Sequence, residues 1–158
     1  MSRALAPVLA ALALAWVALI LAAPQLPTLL GAFIYGIGSL ICHQRTERSF
    51  HLAGAQLPVC ARCFGIYAGA ALGLIFGSRR VDRPRVSKTP AVALAIAALP
   101  TIVTLIVEWA GLGNPGNVIR ATAGAILGAA VAVVVVTLHY DECAPRRPIV
   151  SSPRHPSI

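Results

Sequence analysis

Residues 5–23 read LAPVLAALALAWVALILAA, from Leu5 to Ala23, with no charged side chain. This approaches the ~20 apolar residues that a helix needs to cross a ~30 Å hydrocarbon core. Met1-Ser2-Arg3 precedes it, so a cleaved secretory leader must be weighed. The run exceeds the roughly 7–15 residues of a leader's apolar region. Pro24 would also follow directly on a cut after Ala22-Ala23. The segment is expected to remain in the chain as a first membrane span.

Four more apolar segments follow, at about Pro27–Arg45, Pro58–Gly77, Pro90–Trp109 and Val118–Tyr140. The whole chain agrees, with 58% hydrophobic residues and only 11% charged, against about 25% charged in ordinary soluble domains. The formal net charge of +8 does not point to nucleic acid. The basic residues fall between and after the apolar segments, and no basic helix is interleaved with aromatics. The expected partner is the lipid bilayer.

These observations imply an all-α polytopic transmembrane bundle of about five spans over residues 1–143. Residues 144–158, rich in Pro, Ser and Arg, are expected to be a disordered cytoplasmic tail. The second segment is the shortest, since Thr28–Cys42 makes roughly 22 Å of helix. A full span requires it to continue toward Arg45, and that is the expectation. The alternative is a re-entrant segment, whose backbone protein or water must bury.

Orientation follows the basic residues of short loops. Ser78–Lys88 carries Arg79, Arg80, Arg83, Arg85 and Lys88, so it should be cytoplasmic, with the tail beside it. The uncharged Gly111–Asn117 and the stretch Gln44–Leu57 then lie outside. Five spans also place the N-terminus outside, against the mild pull of Arg3. The protein is expected to be multi-pass in the cytoplasmic membrane.

Gly65, Gly69, Gly73 and Gly77 recur every fourth residue in the third segment, and Gly124 and Gly128 do so in the fifth. Such spacing lets a neighbouring helix approach closely. On a helix starting at Pro58, Cys60, Cys63 and Tyr67 share a face roughly opposite the upper glycines. In the fourth segment Thr101, Thr104 and Glu108 form one stripe. Glu108 and Arg120 flank a short loop and are expected within salt-bridge reach of each other.

Chemistry concentrates in Cys42-His43-Gln44-Arg45, Glu47-Arg48-Ser49-Phe50-His51 and Pro58-Val59-Cys60-Ala61-Arg62-Cys63. Cys-x-x-Cys supplies two thiolates from one turn. Cys42 with His43, or with His51 as alternative ligand, would complete a tetrahedral set for zinc or another thiophilic metal. The same residues also suit thiol–disulfide chemistry. A helix beginning at Pro58 would set the thiols at its N-terminus, where the dipole and Arg62 favour thiolate. Bundles resembling vitamin K epoxide reductases use such thiols with quinones, although a second cysteine pair to relay electrons is not evident here. A third reading is a structural membrane subunit whose loop is merely stapled. Arg62, Tyr67, Glu108 and Arg120 are the supporting polar residues. Cys143 stands apart, with Asp141 and Glu142.

In Cys42-His43-Gln44, Arg48-Ser49-Phe50 and Pro58-Val59-Cys60-Ala61-Arg62-Cys63, followed by Gly65-Ile66-Tyr67, the chain resembles a domain-of-unknown-function family of small prokaryotic integral membrane proteins. The resemblance extends to the Arg120–Gly124 region. It implies Cys42, His43, Cys60 and Cys63 as the signature set, with His51 outside it. The fourth segment departs from the family pattern, with Thr104 where Asp is expected and Glu108 where Gln is expected. The resemblance implies no activity, substrate or cofactor. The functional expectation is a metal-binding membrane protein, with an enzyme on a lipid-like substrate as its extension. A quinone-linked oxidoreductase is the alternative.

Overall fold

A computed structural model describes residues 5–79 and 90–143, with side chains as far as Gly77 and Leu138 in the two runs. Expectations for the basic loop through 80–89 and for the tail 144–158 fall outside the described residues. The elements are α1 (Leu5–Ala22), a 3-10 turn (Ala23–Gln25), α2 (Thr28–Ile41), a second 3-10 turn (Thr46–Arg48), β1 (Ser49–Leu52), β2 (Ala55–Cys60), α3 (Ala61–Arg79), α4 (Pro90–Trp109) and α5 (Asn117–Cys143).

The protein is thus mostly helical, with five α-helices among the described residues. Three stretches are long and apolar enough to cross a membrane: Leu5–Gln25, Pro90–Trp109 and Asn117–Leu138. The 19 residues of α3 measure about 28 Å. The 14 residues of α2 measure only about 21 Å. Large apolar side chains cover the outside, with Leu12, Phe33, Ile106 and Val118 from 56% to 70% exposed. Helices that stay apolar on their outward faces belong in lipid.

One departure from the all-α expectation is a β-hairpin. Its register pairs His51 with Gln56 and Leu52 with Ala55, and an irregularity separates these from Ser49–Cys60. Ala53 and Gly54 form its two-residue turn, both at positive φ (52° and 80°), as primed hairpin turns require. Pro58 therefore lies in β2, and the third helix begins at Ala61 rather than at Pro58. A proline suits a short two-stranded ribbon because its missing N–H need not serve a ladder.

The second helix also ends early. It stops at Ile41, and Cys42 is extended (φ −147°, ψ 137°), so the helix does not continue to Arg45. Gln44 holds the break open in a left-handed conformation (φ 47°). Its amide donates to the carbonyls of Tyr35 at 2.8 Å and Pro58 at 2.7 Å. Helix α2 packs on β2 and on the first 3-10 turn, and that turn also rests on β2. A methyl group on Gly38 would overlap the Pro58 carbonyl, so α2 and β2 meet closely. Both ends of α2 thus lie at the hairpin end of the molecule.

The four remaining helices form the bundle. Helices α1 and α3 run antiparallel. Ala6 and Ala10 cluster with Leu74, while Ile20 joins Cys42, Leu57 and Val59 at the other end. The Trp16 and Tyr67 rings meet edge-on at 6.2 Å. Helices α3 and α5 run parallel. Gly65, Gly69 and Gly73 press on Ala121, Ala125 and Ala129, while Gly124 and Gly128 press on the backbone at Arg62 and Ile66. Helix α4 runs antiparallel to α5, and Thr101 donates to the Ala123 carbonyl at 3.0 Å. The hairpin end thus gathers the C-terminal ends of α1 and α4 and the N-terminal ends of α3 and α5.

Gly77 departs from its stripe. An added methyl there would meet Val133 at an ordinary 3.5 Å, whereas at Gly69 it would overlap the Ala125 backbone. Gly69→Ala should therefore destabilise the protein by about 1–3 kcal/mol. Gly77→Ala should be neutral or slightly stabilising. Thermal unfolding of the two variants in detergent checks the contrast, and equal losses would contradict it.

Candidate metal centre

Three elements each deliver one thiol. Cys42 follows α2, Cys60 ends β2 and Cys63 lies in the first turn of α3. Their sulfurs all lie within 4.8 Å of one another. The backbone N–H of Cys60 donates to the Cys42 sulfur at 3.2 Å, tying the end of α2 to the start of α3. Cys60 immediately precedes α3 and occupies its capping position. A hydrogen bond with the Cys63 thiol holds the Cys60 thiol well below its ordinary value, at about 5. Burial opposes this, while the Cys63 and Arg62 backbone N–H groups and the Cys42 thiol support it. The backbone N–H groups at the start of α3 thus add to the larger effect of the Cys63 thiol in favouring thiolate at Cys60. The Arg62 guanidinium plays no such part, because it points to α4.

The surroundings are apolar. Cys42 is buried with Ile20, Leu57 and Val59, and Trp16, Phe64 and Tyr67 pack around them. Thiolates in such a setting are soft donors, matched to zinc or another thiophilic ion. Tetrahedral zinc with bonds near 2.3 Å sets sulfurs roughly 3.5–4 Å apart. The 4.8 Å within which this trio lies is somewhat wider than that spacing.

Neither histidine stands with the sulfurs. His43 is exposed directly after buried Cys42. Successive side chains of an extended segment point to opposite sides, so the break in α2 turns Cys42 inward and His43 outward. His51 is exposed in β1. The side chain of Cys143 lies outside the described residues.

On the side of α3 toward α4 and α5 lies a charged group. Glu108 Oε1 accepts from Arg120 Nε at 2.6 Å and from Arg62 Nη2 at 3.2 Å. Its Oε2 lies 3.2 Å from Arg48 Nη1. Arg62 also donates to Thr104 at 3.1 Å, so the expected stripe on α4 does face the bundle. Arg120 donates to the side-chain oxygens of Asn117 at 2.9 Å and Asn114 at 2.5 Å. The expected Glu108–Arg120 pair is thus present and wider than a pair.

Sequence reading missed the residues that fasten the hairpin. Asn117 donates to the Ser49 carbonyl at 2.9 Å, joining β1 to α5. Gln56 donates to the Gln44 carbonyl at 2.6 Å, and the Tyr35 hydroxyl bonds the Gln56 carbonyl. Arg48 was visible beside Ser49-Phe50, but its partner lies on α4, far along the chain.

Comparison with known proteins agrees with this architecture. A family described as "Predicted membrane protein (DUF2085)" matches residues 42–134, and the chain belongs to it. An uncharacterised protein of Methanocaldococcus jannaschii is 34% identical over 68% of this chain and 69% of its own length. Another from Methanothermobacter thermautotrophicus is 31% identical over 63% of this chain and 88% of its own length. No solved structure matches.

Removing the one acid of the charged group leaves buried guanidinium unpaired. Glu108→Gln should cost about 3–5 kcal/mol, the usual penalty for breaking a buried pair. Arg45→Gln, which loses only the exposed 3.8 Å contact with Glu47, should cost almost nothing. Denaturation in detergent compares the two.

Proposed function

We propose that this member of the DUF2085 family holds a thiophilic metal ion, of the zinc class, on Cys42, Cys60 and Cys63 at the outer end of a four-span bundle. The observation that carries the reading is the convergence of three sulfurs from three separate elements within 4.8 Å. A disulfide uses two sulfurs and leaves the third unexplained, whereas a metal uses all three. His43 completes the set by turning inward from its exposed position, with His51 as the alternate. Were histidine to leave the fourth position open instead, three protein ligands and an exchangeable site would suit chemistry on a lipid-like substrate.

The four spans are α1, α3, α4 and α5, with α2 lying along the outer interface. Support comes from the placement of both ends of α2 at the hairpin end and from its exposed Leu29, Phe33 and Leu40. The basic loop between α3 and α4 belongs to the cytoplasmic side. In this path the start of α1, with Arg3, falls on that side too, so the basic residues no longer oppose one another. An epitope tag before Met1 and one inserted at Ser87 should both resist protease added to intact cells. Digestion of the first tag alone would restore a five-span path.

Metal analysis with thiol counting on detergent-purified protein tests the site. About one ion per chain is expected, lost on Cys42→Ser or Cys63→Ser and retained on Cys143→Ser. His43→Ala should weaken retention against a chelator. A disulfide that reductant opens, with no metal, would overturn the reading. Electron transfer to a quinone would then identify an oxidoreductase, and its failure a structural staple.

A further inference from the structure

We infer that Arg48, Arg62 and Arg120 around Glu108 form a binding site for a phosphate-type anion, separate from the thiol cluster. Three guanidinium groups meet one carboxylate, so the group carries two surplus positive charges. Burial is deep. The side chains of Glu108, Arg120 and Arg62 are 2%, 3% and 14% exposed. The other acidic side chain among the described residues, Glu47, is exposed and faces Arg45 at 3.8 Å. Asp141 and Glu142 stand at the opposite end of α5.

The remaining contacts are neutral. Asn114, Asn117 and Thr104 accept hydrogen bonds from Arg120 and Arg62 but cancel no charge. Uncompensated charge in a low-dielectric setting is costly, so the group calls for an anion. The donors for it are present. Arg62 Nε is buried without an acceptor. Arg48 lies within ion-pair distance of Glu108 Oε2, yet that oxygen receives no directed hydrogen bond. Arg48 is also one-third exposed, so it can turn toward a ligand without breaking a well-formed bond.

Guanidinium forks match the oxygens of carboxylate and phosphate bidentately, and of the two only phosphate carries a double charge. A doubly charged phosphate group would neutralise the surplus. Two sources supply this chemistry: a phospholipid headgroup and free phosphate. The site lies where α4 ends and α5 begins, the level of the headgroups in a membrane-spanning bundle.

The test uses the full chain in a neutral detergent and in phosphatidylcholine nanodiscs. Inorganic phosphate is titrated into the first. Phosphatidylglycerol replaces part of the lipid in the second. Thermal stability is the readout. The inference requires a saturable rise in midpoint with at least one probe. A response to phosphate identifies the free anion as sufficient; a response to phosphatidylglycerol alone identifies the headgroup. Arg48→Gln should weaken the apparent affinity by about tenfold, the loss of one charge-assisted bond. Arg48→Lys should restore part of it, and Arg45→Gln should leave it unchanged. No saturable response to either probe, or equal losses in Arg48→Gln and Arg45→Gln, would overturn the site.

Discussion

Helices α3 and α5 touch backbone to backbone. Gly65, Gly69 and Gly73 admit the Ala121, Ala125 and Ala129 backbones, and Gly124 and Gly128 admit those of Arg62 and Ile66. The contact is reciprocal, so neither helix can slide or turn without a clash. Inside a membrane there is no hydrophobic gain from joining two apolar helices, and close packing of this kind must supply the attraction. Much else follows from it. It aligns the N-termini of α3 and α5, which brings Arg62 and Arg120 to one carboxylate. It leaves the opposite side of α3 for α1, which covers the thiols with Trp16 and Ile20.

The start of α3 thereby presents two kinds of side chain on two faces. Cys60 and Cys63 look toward α1 and the end of α2, in apolar surroundings. Arg62, between them in sequence, looks toward α4 and α5. The alternation is simple helix geometry, yet it separates sulfur metal ligands from cationic guanidinium hydrogen-bond donors within one turn. The hairpin spans both. Its β2 strand ends in Cys60, while β1 follows Arg48 and is tied to α5 through Asn117 and Ser49. Movement of the hairpin would therefore be felt at both groups.

Gln44 has a comparable structural role. Its side chain joins Tyr35 at the middle of α2 to Pro58 in β2, and its carbonyl accepts from Gln56. These bonds satisfy polar groups that would otherwise be orphaned where a helix stops beside a membrane. They explain why the chain can break α2 at Ile41, and the break is what presents Cys42 to the other two sulfurs.

Much was legible in the sequence because it depends on local composition and spacing. The uncharged runs announce membrane helices, the four-residue glycine spacing announces a close helix contact, and clustered cysteines announce a site. The nearness of Glu108 and Arg120 followed from a short loop between two helices. Other features depend on partners distant in the chain. The hairpin was hidden because Ala53-Gly54 is a weak turn signal and its strands are short. The end of α2 was hidden because Gln44 and Pro58 decide it together. The sequence by itself determined a membrane helical protein with a cysteine site between its second and third apolar segments. Only the tertiary structure decided that α2 stays at one end, that His43 faces away from Cys42, and that Arg48 and Arg62 both converge on Glu108. Side-chain direction and long-range pairing are set by packing, which adjacency in sequence does not encode.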